Sequence, residues 1–404
     1  MKIRSITYFF HPGWPPEETK MRSASTFLST AKQAFEQAGY EVQTLRLATT
    51  PFSYLLGRRI KEAPYLAEAM ETLLGHFGVA YASLGPAFPD VPGSYEIIPE
   101  ALSKSKNIFF SGVMADIENG ISLAAVRACA EVIVQAANIT LDGFANLRFA
   151  ALANVPAGAP FFPAAYYQGE RPSFALATQA ADLALEAFQH AHTLHEGAEA
   201  LVTAIETHSK NLASIARQLQ FRFGAQFGGM DFSLAPFPEK NVSLGGAVER
   251  MGVEKVGLHG SLAAAAILTG AVERANFPRT GFNGFMQPVL EDSILASRAA
   301  EGSLTIKDLL LYSAVCGTGL DTVPLPGDVS ADQLTPLLLD LSALALRLDK
   351  PLTARLMPIP GKRAGDPTNF DFDFFANSKV MALEAEPLSA VLAGDEIFRL
   401  QARG

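Results

Sequence analysis

The feature that most constrains this chain is an alternation, over its first 155 residues, of short β-prone runs with longer helix-forming stretches. Ile3 to Phe10 is rich in Ile, Tyr, Phe and Thr and reads as a strand, ended by His11-Pro12-Gly13-Trp14-Pro15-Pro16. Glu17 to Ala38 then carries Met21, Ala24, Phe27, Leu28, Ala31 and Phe35 at helical spacing and stops at Gly39, a good C-cap residue. Further strands are expected at 41–48, 78–84, 107–114 and 147–155, with helices at 61–77 and 121–137. Such repetition predicts an α/β fold with mainly parallel pairing.

Composition narrows the functional classes. Hydrophobic residues make up 49% of the chain and charged residues 18%, enough for a large core. A net charge of −9 argues against a nucleic-acid partner, which needs a basic face. Two cysteines make no disulfide framework, and Met1-Lys2-Ile3-Arg4 leads into no signal-peptide core. No apolar run approaches the ~20 residues of a membrane span. A cytoplasmic protein without a membrane or nucleic-acid partner is expected.

Residues 174–219 are almost all helix formers, with a break at Glu196-Gly197, and predict a helical hairpin inserted outside the sheet. Alternation then resumes, with strands expected at 230–235, 285–289, 352–359, 379–385 and 396–401. Helices are expected at 242–251, 258–273, 292–300, 306–315 and 337–346, the last with Thr335 as N-cap and Pro336 first. No Gly/Ser linker divides residues 1–404, so the expectation is one α/β domain of roughly ten strands.

Several loops combine small, polar and proline residues directly after an apolar strand, where ligand sites of α/β folds collect. In 159–167 the aromatics Phe161, Phe162, Tyr166 and Tyr167 would stack on a substrate or pack beneath the loop. Asp231 and Ser233 share one strand face, as a site pair or as a satisfied hydrogen-bond pair. Asn283 suits a turn whatever its role, and Asp292 suits an N-cap; with Glu291 they would alternatively hold a hard cation, Mg²⁺ or Ca²⁺, through oxygen. Lys362 follows Gly361 as an anion site requires, or sits in a solvated turn; the spacing is not that of a nucleotide P-loop. Residues 316–328 hold Cys316, Gly317, Thr318, Gly319, Asp321 and Asp328 as a polar, glycine-rich loop. Cys316 is either a buried small hydrophobe or a thiol whose neighbouring amides stabilise negative charge. Asp321 and Asp328 would orient a base, bind a cation or satisfy turn amides.

Ile3-Arg4-Ser5-Ile6-Thr7, Phe161-Phe162-Pro163-Ala164-Ala165-Tyr166, Asp231-Phe232-Ser233-Leu234-Ala235-Pro236, Phe282-Asn283-Gly284, Pro288-Val289-Leu290-Glu291-Asp292, Cys316-Gly317-Thr318-Gly319-Leu320-Asp321 and Arg355-Leu356-Met357-Pro358-Ile359-Pro360-Gly361-Lys362 span nearly the whole chain. In these motifs it resembles the prokaryotic domain-of-unknown-function 711 proteins. The resemblance implies a fold similar to pyruvate formate-lyase: a ten-stranded α/β barrel, helices outside, with a loop reaching its centre. The Cys316 loop is the expected inner finger. Glycyl-radical chemistry is not implied, because the C-terminus Glu396-Ile397-Phe398-Arg399-Leu400-Gln401 lacks an Arg-Val-Ser-Gly-Tyr-like motif. No cysteine cluster suits an iron–sulfur centre.

The leading expectation is an enzyme acting on a small polar or anionic metabolite inside the barrel. Cys316 would be nucleophile or thiol acid/base, with amides 317–319 near the developing charge. Asp321 and Glu291 would act as acid/base groups, and Arg355 and Lys362 would hold an acidic group. One alternative is a divalent-cation site of Asn283, Glu291, Asp292, Asp321 and Asp328. Another is a metabolite-binding protein without catalysis. A homo-oligomer is left open by the apolar helix at 337–346.

Overall fold

Each early strand is followed by a helix and then by its own spatial neighbour, and this decides the architecture. The computed structural model describes residues 1–403. Strands β1 (Lys2–Phe10), β2 (Val42–Thr49), β3 (Tyr81–Ala87), β4 (Ile108–Asp116) and β6 (Phe149–Ala153) lie side by side in that order, all parallel. The short β5 (Gly120–Ser122) turns back on the end of β4. Parallel crossovers are right-handed, so stepping to the next strand each time sends every helix to the same face. Helices Glu18–Gln37, Ala63–Phe77, Ile98–Ser103 and Leu123–Ala137 accordingly pack with the outward residues Ile6, Leu47, Leu84, Phe110 and Met114 into one large core.

Two further pairs extend the sheet, each joined antiparallel to the central five. β7 (Ser173–Gln179) pairs with β1, and β8 (Gln226–Ala235) lies beyond it. β10 (Leu352–Ile359) pairs with β6, and β9 (Gly319–Pro326) lies beyond that. β11 (Ile397–Phe398) pairs only with β5. The result is a mixed α/β fold with an eleven-stranded sheet. No ladder joins the edges β8 and β9, so the ten-stranded closed barrel is not the observed arrangement. The segment 278–290 between them makes only isolated bridges, Met230 to Arg279 and Pro288 to Asp321. Pro278 and Pro288 lack an N–H, and Gly281 and Asn283 have φ of 79° and 51°, which interrupts a strand there.

The face without helices is filled by loops. Phe162, Ala165 and Tyr167 pack on Phe9, Ala48, Phe109 and Ala175, while Ala159 and Ala164 pack on Val113, Ala150 and Leu152. Pro160 and Pro163 carbonyls accept hydrogen bonds from Thr7 and Ser83 of the inner sheet face. The inner finger is therefore 155–167, and not the loop of Cys316.

Several expectations change with this arrangement. Residues 173–179 form β7 and not the start of a hairpin, so the helices run Ala181–Gln189 and Leu194–Phe223. Much of the supposed loop 316–328 is β9; its prolines are tolerated because it is an edge strand. Residues 285–289 and 379–385 form no strand. The helix expected at 337–346 is Ala331–Arg347, capped by Ser330 with Gln333 in a capping box, and Pro336 lies inside it. Among the described residues no helix is long and apolar enough to cross a membrane.

Candidate functional site

On the inner face, side chains of β1, β2, β3, β4 and β10 surround a cavity of about 320 Å³. Strand alternation aims them there: Thr44 and Arg46 of β2 face inward, while Leu45 and Leu47 join the helical core. Arg4 arrives differently. β1 shifts register against β7 between Ile3 and Ser5, and such a bulge re-aims a side chain. Ile3 and Ile6 both stay in the helical core while Arg4 lines the cavity. The finger contributes Pro160, Phe161 and Phe162, and the arm after β10 contributes Phe372 and Phe374. Tyr81, Phe109 and Phe144 complete a largely aromatic wall, with Lys106 at its edge.

One wall is an ionic chain. Arg4 donates to Glu291 Oε2; Arg355 donates from Nη2 to Glu291 Oε1 at 2.7 Å and from Nε to Asp321 Oδ1 at 2.6 Å. Burial alone would push the Glu291 carboxyl up, but the Arg4 and Arg355 guanidiniums outweigh it and hold it below the usual range. For Asp321 burial wins over Arg355, Glu291 adds to it, and the carboxyl is pushed up. The Arg355 guanidinium is held above its ordinary value, since its two acids outweigh burial.

Arg46 has no such partner. Its Nε donates to Thr44 Oγ1 at 2.9 Å, and its guanidinium carbon lies 5.1 Å from the Phe162 ring centre and 5.9 Å from that of Tyr81. Among the described residues it makes no ion pair, and its two Nη atoms donate no hydrogen bond. Burial first, then the nearby Arg4, lower its pKa to about 9, which leaves it charged at neutral pH. The side chain is deep in the fold yet half-buried, because it presents surface to the cavity. Arg148, also on the wall, is by contrast fully engaged with the carbonyls of Leu102, Ser105 and Ile108.

Of the residues singled out in the sequence, Glu291, Arg355 and the aromatics Phe161 and Phe162 line this cavity, with Asp321 bonded behind Arg355. Cys316 is 1% exposed and packs in the helical core; its sulfur accepts from the Gly319 amide at 3.4 Å. Gly317 packs against the Gly284 backbone and donates to the Phe285 carbonyl, and the Thr318 carbonyl accepts from Thr353 N–H. The amides of Gly317 and Gly319 are thus committed to the fold. Asp231 accepts from Ser233 and from the amides of Phe282 and Asn283, and Asn283 Oδ1 accepts from Phe232 N–H at 2.9 Å. These three residues fasten 278–290 to β8. The Tyr166 hydroxyl donates to the Val155 carbonyl at 2.9 Å and braces the finger. Lys362 lies in the half-buried turn after β10, away from the cavity wall.

The cation-site grouping is not brought together. Asp292 caps two helices, Glu291 is held by arginines, Asp328 is exposed, and Asn283 serves the backbone. Among the described residues no three His, Cys, Asp or Glu are placed to share a metal ion. Sequence reasoning missed Arg46, Lys106 and, as a site residue, Arg4. The readable signal was Arg46 itself, a charge on the inward period of β2 between the core residues Leu45 and Leu47.

Comparison with known proteins agrees with the motifs. A family model described as "Uncharacterised ACR (DUF711)" matches residues 1–377. A "UPF0210 protein" of Pyrobaculum arsenaticum is 32% identical over 355 residues, covering 83% of this chain and 78% of that protein. Another from Pyrobaculum aerophilum is 33% identical, covering 81% and 76%. One from Acetivibrio thermocellus is 30% identical, covering 86% and 81%. With its motifs and nearly its full length matched, the chain belongs to the uncharacterised DUF711 family, whose curated members are named UPF0210 proteins.

Proposed function

We propose that the inner cavity binds a small organic anion, with Arg46 as the principal anchor. The observation that carries this reading is a charged guanidinium in a cavity wall with no ion-pair partner in contact among the described residues. A buried charge without a partner is costly, and a ligand carboxylate or phosphate would remove that cost. Arg4 and Arg355 would add to the field, but each is already shared with Glu291. Lys106, exposed at the edge and without an ion pair among the described residues, would draw the anion in.

Whether binding leads to turnover turns on Glu291, the one carboxylate in the lining. The thiol of Cys316 has no part in this reading. Helices outside and a loop inside support kinship with the ten-stranded barrels of the pyruvate formate-lyase type, with 155–167 in the place of the finger.

Thermal unfolding at neutral pH with acetate, benzoate, succinate or inorganic phosphate against matched chloride tests the reading. An anion at 100 times its Kd adds about 2.7 kcal/mol to stability, which is a readily measured rise in Tm. At least one of these anions is expected to raise Tm, and Arg46→Met is expected to abolish the rise. No anion-specific rise, or one that survives in Arg46→Met, sinks the proposal.

A further inference from the structure

We infer that the anion is a planar aromatic monocarboxylate. This rests on the anion-binding reading and adds the ligand's shape and charge. Arg46 spends its Nε on Thr44 Oγ1, so its two Nη groups are left as one donor edge. Two parallel N–H donors on one edge match the two oxygens of a carboxylate. That edge emerges beside the Phe162 and Tyr81 rings, 5.1 and 5.9 Å from the guanidinium carbon. A body coplanar with the carboxylate would continue along the same ring faces.

The rings are fixed for this purpose. Phe109 meets Tyr81 at 77° and Phe162 at 66°, edge to face, so neither partner stacks on Phe109. Phe161 is held at 69° to Phe282 and lies under the Arg355 guanidinium. A planar ligand would meet faces and edges in the offset or tilted geometries that aromatic pairs prefer. The cavity volume of about 320 Å³ is at the lower end for ligand pockets and suits a single ring with substituents.

Charge sets the count of acidic groups. Arg4 and Arg355 are shared with Glu291 and Asp321, Arg148 is spent on backbone carbonyls and Lys106 stands exposed at the edge, so the one unpaired charge deep in the wall is that of Arg46, which takes one carboxylate. Glu291, ionised between its arginines, would repel a second carboxylate at that end. A compact phosphate would meet the same edge but leave the aromatic wall unused.

Titration calorimetry of the full chain with benzoate, cyclohexanecarboxylate, succinate and inorganic phosphate separates these possibilities. Benzoate is expected to bind about tenfold or more tighter than its saturated analogue and than phosphate. Arg46→Met should weaken benzoate at least tenfold, and Arg46→Lys, which keeps the charge but not the fork, should weaken it less. Phe162→Leu should reduce benzoate affinity while leaving cyclohexanecarboxylate within about twofold. Equal affinity for the planar and saturated acids overturns the inference, as does tighter binding of succinate or phosphate. If none of the four binds, the anion reading itself fails, which is a different result from a wrong ranking.

Discussion

At the scale of single residues, Glu291 joins the fold to the candidate site. It is 3% exposed and stands between Arg4 of β1 and Arg355 of β10, strands far apart in the sheet. Removing one member of a buried ionic group leaves the others uncompensated, which typically costs about 3–5 kcal/mol. Glu291→Gln is therefore expected to lower stability by about 3 kcal/mol in urea at pH 7. The pH dependence has a definite sign. The folded-state pKa lies below the usual 4.5, so the ionised carboxylate favours the folded state. That contribution is complete above pH 4.5 and is lost as pH falls through the lower folded value. The gap between the natural protein and Glu291→Gln should thus be widest near neutrality and close under acid. A gap that stays constant down to pH 3 would show that the carboxylate is not held ionised by its arginines.

At the scale of elements, Asp292 shows how much of this protein could be read from its sequence and where reading stopped. As a helix cap it was legible: Oδ1 accepts from Ile294 N–H at 2.9 Å and Leu295 N–H at 3.1 Å. Its second role was not. Oδ2 also accepts from Leu244 and Gly245 N–H at 2.6 and 3.1 Å, and Oδ1 from Ser243 Oγ, so one carboxylate serves the starts of two helices. Asp292→Ala should cost about 2 kcal/mol or more, the sum of two caps, where a single cap would cost about 1. A loss near 1 kcal/mol in urea unfolding would reduce it to an ordinary cap. The same limit governs whole elements. Met21, Ala24, Phe27, Leu28 and Phe35 repeat with the helical period, and that helix was readable to within a residue at either end. β7, Ser-Phe-Ala-Leu-Ala-Thr-Gln, was not, because its inward positions are alanines with high helix propensity and only pairing with β1 and β8 makes it a strand. β9 hid behind its glycine and prolines, which signal a loop unless the strand is known to be an edge. The candidate site was legible at Arg355, at Glu291 and at the aromatics Phe161 and Phe162 of the loop 159–167. Arg4 depends on a bulge, and a register shift leaves no mark in a single sequence.

For the whole molecule, the question is what holds β8 near β9 when no continuous ladder joins them. The segment 278–290 does it through specific groups: Met230 N–H donates to the Pro278 carbonyl, Thr280 N–H to the Met230 carbonyl, and Val289 N–H to the Asp321 carbonyl. Asp231 gathers the amides of Phe282 and Asn283 at the middle of this seam. Gly281 is the position it tolerates least change at. Its φ is 79°, and a β-carbon there would sit 2.2 Å from Asp231 Oδ2. Gly281→Ala must either move Asp231 off the amides or shift the segment, in addition to the cost of positive φ. A loss of about 2 kcal/mol or more is expected. Gly270 is the matched control, since it lies inside helix Ser261–Arg274 with nothing within 4 Å of the added carbon. Gly270→Ala should be neutral or stabilising by about 0.5–1 kcal/mol. Because the central five strands are held by their own ladders and helices, amide exchange in Gly281→Ala should rise first in β8 and β9. Protection lost first in β1 to β4, or equal effects of the two substitutions, would mean that the seam does not hold the sheet edges together.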